Sequence, residues 1–233
     1  MPVEFPLLGV MDPYWDDLPI HVIDFEGGPH CGIVEYGVVS LKGSRIENVS
    51  TRLCLPKASI SRKEQATHGI SNDAVKGLLP FANEWDRFAN LRETGPLAAH
   101  FASAENSMIK SVFPYARRSE NWIQTGSKGT DWGPWIDTGY LYRNYGDDGS
   151  TLKLEDLVHR WELQHELDEL AVKYCPTDRR HYHCALYDAL ASALLLLLYC
   201  SELRDGRASI PQLLIESQGS AARKQAAEQQ QLF

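Results

Sequence analysis

The run His21-Val22-Ile23 ends in Asp24-Phe25-Glu26, so two acidic side chains close a segment that reads as a buried strand. Successive side chains of a strand point to opposite faces, which puts Asp24 and Glu26 on one face and Phe25 on the other. Two carboxylates that close repel each other, and either one of them keeps its proton or a cation joins them. Oxygen donors of this kind suit Mg²⁺ or Mn²⁺. Taken alone, the D-x-E pattern also fits a solvated strand end.

Residues 20–25, 33–41 and 46–55 read as three strands, with Lys42-Gly43-Ser44 as the turn between the last two, an antiparallel meander. Short helical turns are expected at 61–65 and 71–75 around His68-Gly69, and a helix at 81–91 behind Pro80. A strand at 97–101, a helix at 104–113 and a brief strand at 135–137 follow. Leu154, Leu157, Val158 and Trp161 recur at i, i+3, i+4 and i+7, as one face of a helix does, and a last long helix spans about 184–203. A meander followed by alternating helices and strands predicts a mixed sheet with helices packed on it. From about 209 the composition shifts toward Gln, Ala and Ser, which divides the chain into a domain over 1–208 and a tail over 209–233.

With 233 residues, 43% of them hydrophobic, the chain is long enough for one α/β domain with its own core. A net charge of −8 argues against broad polyanion binding, although bound divalent cations offset several acidic charges. Arg117-Arg118 and Arg179-Arg180 are candidate phosphate holders, with solvated helix ends as the plainer alternative. Five cysteines without C-x-x-C spacing indicate neither a disulfide framework nor a zinc site, which fits a reducing cytosol. The N-terminal stretch lacks the basic region of a signal peptide. The apolar stretch 189–200 is interrupted by Ser192 and is shorter than the roughly 20 residues of a membrane span. A cytoplasmic protein with no membrane partner is expected.

Two further segments carry chemistry. His183 and Asp188 open the last helix, and the apolar neighbours Leu186, Ala189 and Leu190 imply that Asp188 is buried, a costly placement unless something compensates the charge. Glu105 stands near the start of the helix that follows the 97–101 strand, where a carboxylate also serves as a plain partner of the helix N-terminus.

Together these segments resemble the DEDDh 3′→5′ exonucleases, the group that includes RNase T, oligoribonuclease and the proofreading subunit of bacterial replicative polymerases. The resemblance covers roughly residues 20–203. Asp24 and Glu26 match the first motif, and His183 and Asp188 match H-x-x-x-x-D. Thr67-His68-Gly69-Ile70 looks like the family's H-G-I segment, Asp137-Thr138 like its strand-ending D-T, and Lys153-Leu154-Glu155-Asp156-Leu157 like its K-L-x-x-L helix. The middle motif departs: where the family has H-N-A-x-F-D, this chain has His100-Phe101-Ala102-Ser103-Ala104-Glu105, so Phe replaces Asn and Glu replaces Asp. The tyrosine variant of the family places its base four residues before the last Asp, and that position is Cys184.

The resemblance implies an RNase H-like α/β fold, a mixed five-stranded sheet with an antiparallel meander and then parallel strands, flanked by helices. It implies a two-metal 3′→5′ exonuclease using two Mg²⁺ or Mn²⁺, with Asp24 bridging both ions, Glu26 and Asp188 completing the first site, Glu105 serving the second, and His183 as base on a mobile loop. Single-stranded DNA or RNA 3′ ends are the implied substrate, DNA favoured, with nucleoside 5′-monophosphates released. Substrate contacts are expected from Phe25, Gly27, Gly28, His68 and Phe101, although Phe25 and Phe101 also fit the core, which strand alternation favours for Phe25, and an ordinary turn accounts equally well for the two glycines. The terminal Glu-Gln-Gln-Gln-Leu-Phe looks like a sliding-clamp peptide anchored by Gln229, Leu232 and Phe233, which would place the protein in DNA repair or replication. A homodimer is an option, as in several relatives. The alternative is a catalytically weakened nucleic-acid-binding or clamp-associated module that keeps the fold.

Overall fold

The computed structural model describes residues 12–124, 126–145 and 151–218. Strands β1 (Pro19–Gly28), β2 (Gly32–Lys42) and β3 (Arg45–Leu53) form the expected meander. Helix α1 (Arg62–His68) follows, opened by a capping box in which the Ser61 hydroxyl accepts from Glu64 N and the Glu64 carboxylate accepts from Ser61 N. Residues 72–77 form turns rather than a helix. A 3₁₀ turn at Phe81–Glu84 leads into α2 (Trp85–Thr94), which precedes β4 (Leu97–Ala99) and α3 (Ser103–Val112). A small hairpin, β5 (Ser119–Glu120) and β6 (Lys128–Gly129), comes before β7 (Trp135–Asp137) and the short α4 (Thr138–Leu141). Helices α5 (Leu154–Arg160), α6 (Gln164–Tyr174), α7 (Ala185–Leu198) and α8 (Ile210–Glu216) complete the chain, with a π-helical turn at Tyr199–Leu203 extending α7.

The main sheet has the order β3-β2-β1-β4-β7, antiparallel across the meander and parallel from β1 to β7. Its central strand β1 is apolar on both faces. Ile20 and Val22 point into the core under α5, α7 and α8, whereas Ile23 and Phe25 join the aromatic core beneath α2 and α3. That alternation carries Asp24 and Glu26 onto the α7 face, at the carboxyl ends of the parallel strands where open α/β sheets bind ligands.

Helix α7 is the core helix of the domain. With its π-helical extension it is 19 residues long, longer than the apolar stretch read from the sequence, and its most apolar 18 residues have a mean hydropathy of 1.5 and are 72% buried inside the protein. Its alanines and leucines cover β1 and β2, which accounts for its apolar composition.

The boundary expected at 208/209 cuts through packed structure. Ser209 caps α8, Pro211 sits in its first turn, and Ile210, Leu213 and Leu214 are fully buried. The segment also pins the other end of the chain, since Trp15 N donates to Ala208 O and Ile210 N to Pro13 O. The tail composition therefore begins only after this helix. Helix α6, which buries Leu167 and Ala171, is likewise not anticipated from the sequence. Gln229, Leu232 and Phe233 lie outside the described residues.

Candidate active site

Asp24 and Glu26 leave β1 next to the start of α7, and two features of β2 make this approach possible. Gly37 pairs with Asp24, and a methyl group at Gly37 would stand 2.3 Å from the carbonyl of Ala185. The glycine lets the first turn of α7 lie directly on the sheet. Glu35 pairs with Glu26, and its Oε2 accepts from Ala185 N at 3.0 Å, capping the same turn.

Asp188, in the first turn of α7, is buried with two oxygens in different circumstances. Oδ2 accepts from His183 N at 2.9 Å, whereas Oδ1 has no hydrogen-bond partner among the described residues. His183 adopts the left-handed conformation, φ 62°, and its ring is exposed. Ligand atoms of Glu26, His183 and Asp188 lie within 4.8 Å of one another, a spacing that suits one ion.

Glu105 comes from the other side, as the third residue of α3, buried with Oε2 unpartnered. Its turn is built by Asp137, whose carboxylate accepts from Phe101 N, Ala102 N and Tyr140 N at 2.9–3.1 Å. Asp137 N in turn donates to Ser217 Oγ at 2.8 Å, so the end of α8 braces the site.

The four carboxylates have raised pKa values. Burial, then the charges of Asp188, Glu105 and Glu26, hold the Asp24 carboxyl well above the usual range. Burial, then Asp188 and Glu35, push Glu26 up to about 8. Burial lifts Glu105 to about 8 and Asp188 to about 7. Four mutually repelling acids, two of their buried oxygens without a partner among the described residues, form a donor set that cations would relieve, and oxygen donors suit Mg²⁺ or Mn²⁺.

A fifth acid, Glu35, has a resident counter-charge. Arg179 Nη2 and Nε reach its two oxygens at 2.5 and 3.1 Å, and Arg179 Nη1 donates to His68 O at 2.6 Å. Arg179 is therefore a structural clamp rather than a phosphate holder. Arg180 donates to the Cys175 and Val172 carbonyls, and Arg117 to Asp86, Asn90 and Glu93 of α2. Sequence reading missed Glu35, although a lone acid inside Ile33-Val34-Glu35-Tyr36 is a visible signal.

The expected substrate contacts divide. Phe25 is 6% exposed, its ring against Phe81 and Phe88, so it belongs to the core and does not face a substrate. Gly27, φ 133°, stands at a bulge where a side chain would strike Gly32 O, which explains the glycine without a ligand. Gly27, Gly28 and His68 nevertheless line a cavity of about 500 Å³ that begins at Glu26. His68 is buried, its Nδ1 accepts from Ile70 N, its Nε2 has no partner among the described residues, and burial followed by Arg179 lowers its pKa. Phe101 keeps 40% of its surface exposed, with its ring over Gly139 and beside His100.

No protein-family model matches the chain, and no curated protein matches it. Among solved structures, exonuclease X in complex with 5′-overhanging duplex DNA is similar with a TM-score of 0.60 at 22% identity, covering 85% of this chain and 99% of that one. The nuclease domain of 3′hExo, a DEDDh family member bound to rAMP, has a TM-score of 0.55 at 20% identity, covering 85% and 97%. E. coli exonuclease I in complex with a dT13 oligonucleotide has a TM-score of 0.55 at 13% identity; 81% of this chain is covered, and 42% of that one. The chain thus has the RNase H-like fold of DEDDh-type exonucleases, a mixed five-stranded sheet flanked by helices.

Proposed function

We propose that this protein is a divalent-metal-dependent 3′→5′ exonuclease that hydrolyses the terminal phosphodiester of single-stranded nucleic acid and releases nucleoside 5′-monophosphates. One observation carries the reading: Asp24, Glu26, Glu105 and Asp188, from three separate elements, converge at the carboxyl ends of the strands, with Asp188 Oδ1 and Glu105 Oε2 buried and without a partner among the described residues. The fold shared with nucleases bound to DNA or to rAMP supports it.

In this reading Glu26, Asp188 and Asp24 would hold one ion, and Asp24 and Glu105 a second. Two such ions would supply charge neutralisation at the phosphoryl and leaving 3′ oxygens and a more acidic attacking water. His183 accepts the proton of that water, since its exposed ring stands beside Glu26 and Asp188 and histidine is the side chain suited to proton transfer near neutral pH. Its backbone N–H donates to the Asp188 carboxylate, and four residues earlier Arg179 ties the same segment to Glu35 and His68 O. The cavity lined by Gly27, Gly28 and His68 receives the terminal nucleotide, and the exposed ring of Phe101 offers a stacking face.

In this reading Glu105 takes the place of the Asp of the DEDDh middle motif. Its longer side chain still reaches Asp24 electrostatically, which supports a working second site. The test is incubation with 5′-labelled single-stranded DNA and RNA in Mg²⁺ or Mn²⁺, beside Asp24→Ala. Metal-dependent shortening from the 3′ end that disappears in the variant is expected. No shortening of either strand by folded protein would overturn the proposal in favour of a nucleic-acid-binding module.

A further inference from the structure

Away from these carboxylates, Arg92 of α2 is 1% exposed, and of its donors only Nη2 has a partner, Gly133 O at 3.1 Å. Nε and Nη1 are buried with no partner among the described residues. A buried guanidinium with unpaired donors is expensive, and native proteins rarely leave such groups without an ion or water. Arg92 lines a cavity of about 310 Å³ between α2, α3 and the loop before β7, together with Asn106, Lys110, Asn121 and Asp131.

The polar groups around this cavity are nearly all donors. Asn106 Oδ1 accepts from Trp135 Nε1, and since an indole N–H only donates, the Asn106 amide nitrogen remains a donor, with no partner seen among the described residues. Asn121 Oδ1 likewise accepts from Ile123 N and leaves its NH₂. Lys110 contributes an ammonium. The one anion is Asp131, mostly exposed at the mouth and 3.3 Å from Lys110 Nζ. Burial lowers the Arg92 pKa to about 10, and Asp131 offsets this only in part, which leaves the guanidinium short of counter-charge.

We infer that this cavity is a second binding site, for a phosphate group, in which Arg92 and Lys110 supply charge and Asn106 and Asn121 supply neutral donors. A tetrahedral oxyanion matches a set of converging donors, and an arginine fork suits it. Two sources share this chemistry: a non-scissile phosphate of a bound strand, which rests on the nuclease reading, and free phosphate, which does not.

Inorganic phosphate titrated calorimetrically into the full chain with chelator present tests the site without turnover. One phosphate is expected to bind, with Asp24→Asn unchanged, and Lys110→Met, Asn121→Ala and Arg92→Met each weaker, on the order of 10-fold to 100-fold. Lys110 and Asn121 line the mouth, so they test the site even if Arg92→Met does not fold. Anisotropy of labelled single-stranded DNA in chelator separates the sources: a parallel loss in the same variants assigns the cavity to the strand, and strand affinity unchanged while phosphate binding falls assigns it to free phosphate. No phosphate binding by wild type, or binding unchanged in the mouth variants, overturns the inference. Because no step reads hydrolysis, a failure of the nuclease reading leaves this result interpretable.

Discussion

Arg179 and Glu35, 144 positions apart, form a two-pronged ion pair beneath the candidate active site, with side chains 12% and 4% exposed. The pair joins the segment before α7 to β2. Glu35 also accepts from Ala185 N and Arg179 donates to His68 O, so one buried contact holds the His183 segment, the α7 N-terminus and the end of α1 in register.

Removing one partner of a buried pair leaves the other charge stranded. Glu35→Gln is expected to destabilise the protein by about 3–5 kcal/mol, and to lower kcat more than it raises KM. Thermal melting and steady-state kinetics check both, and the double variant Glu35→Gln with Arg179→Met should recover stability without recovering kcat.

Glu105→Gln removes a buried charge of nearly unchanged shape. With chelator at pH 8 the variant should be more stable than wild type by about 1–3 kcal/mol, because an unpaired buried carboxylate no longer has to ionise. Metal-dependent hydrolysis should fall on the order of 10²-fold. A melting curve that moves down, or turnover that stays level, would contradict the placement of Glu105 at a second ion.

The same burial sets a pH dependence. Glu26 and Glu105 rise from 4.5 to about 8 and Asp188 from 3.8 to about 7, so between these values the folded chain holds protons that the unfolded chain has released. Stability in chelator therefore falls as pH rises through this window. Below about 6.5 a second effect opposes it, since His21 and His100, lowered to about 4 by burial, favour the unfolded state as pH drops. From pH 6.5 to 8 the carboxylates outweigh the remaining effect of His21, His100 and His68, and a net loss on the order of 3 kcal/mol is expected. Mg²⁺ or Mn²⁺ should restore it, with a larger melting shift at pH 8 than at pH 6.5.

Gly37→Ala drives a methyl group into the Ala185 carbonyl and Leu186 N, both backbone atoms that cannot rotate away. A loss of about 1–3 kcal/mol is expected, with reduced kcat because Asp188 moves off Asp24. Melting and turnover at saturating metal report the two losses separately.

Ending the chain at Ala208 removes Ile210, Leu213 and Leu214 from the core and Ser217 from Asp137. Burial of about 1.5–3 kcal/mol per side chain predicts a loss large enough to unfold a domain of ordinary stability. Circular dichroism of the shortened chain would show it.

Local periodicity was legible. The alternation along β1 placed Asp24 and Glu26 on one face, the His183–Asp188 spacing placed both at the start of α7, and the meander followed from apolar runs and a turn. Where a residue is explained by a distant neighbour, the sequence was silent. Strand alternation already favoured the core for Phe25, but not its partners Phe81 and Phe88, nor the Gly32 O that keeps Gly27 small. Helix α8 was hidden by its Gln-rich sequel, although Ser209 and Pro211 mark its start.

What the chain carries in its own order is the kind and spacing of its acids, since the periods of strand and helix are properties of the local backbone. Which of these acids meet, and which acquires a counter-charge, was decided by sheet order and register. Glu35 and Asp24 are both acids in buried strands. Only the tertiary structure gives one an arginine and leaves the other among carboxylates, because electrostatic partners are set by distance through space.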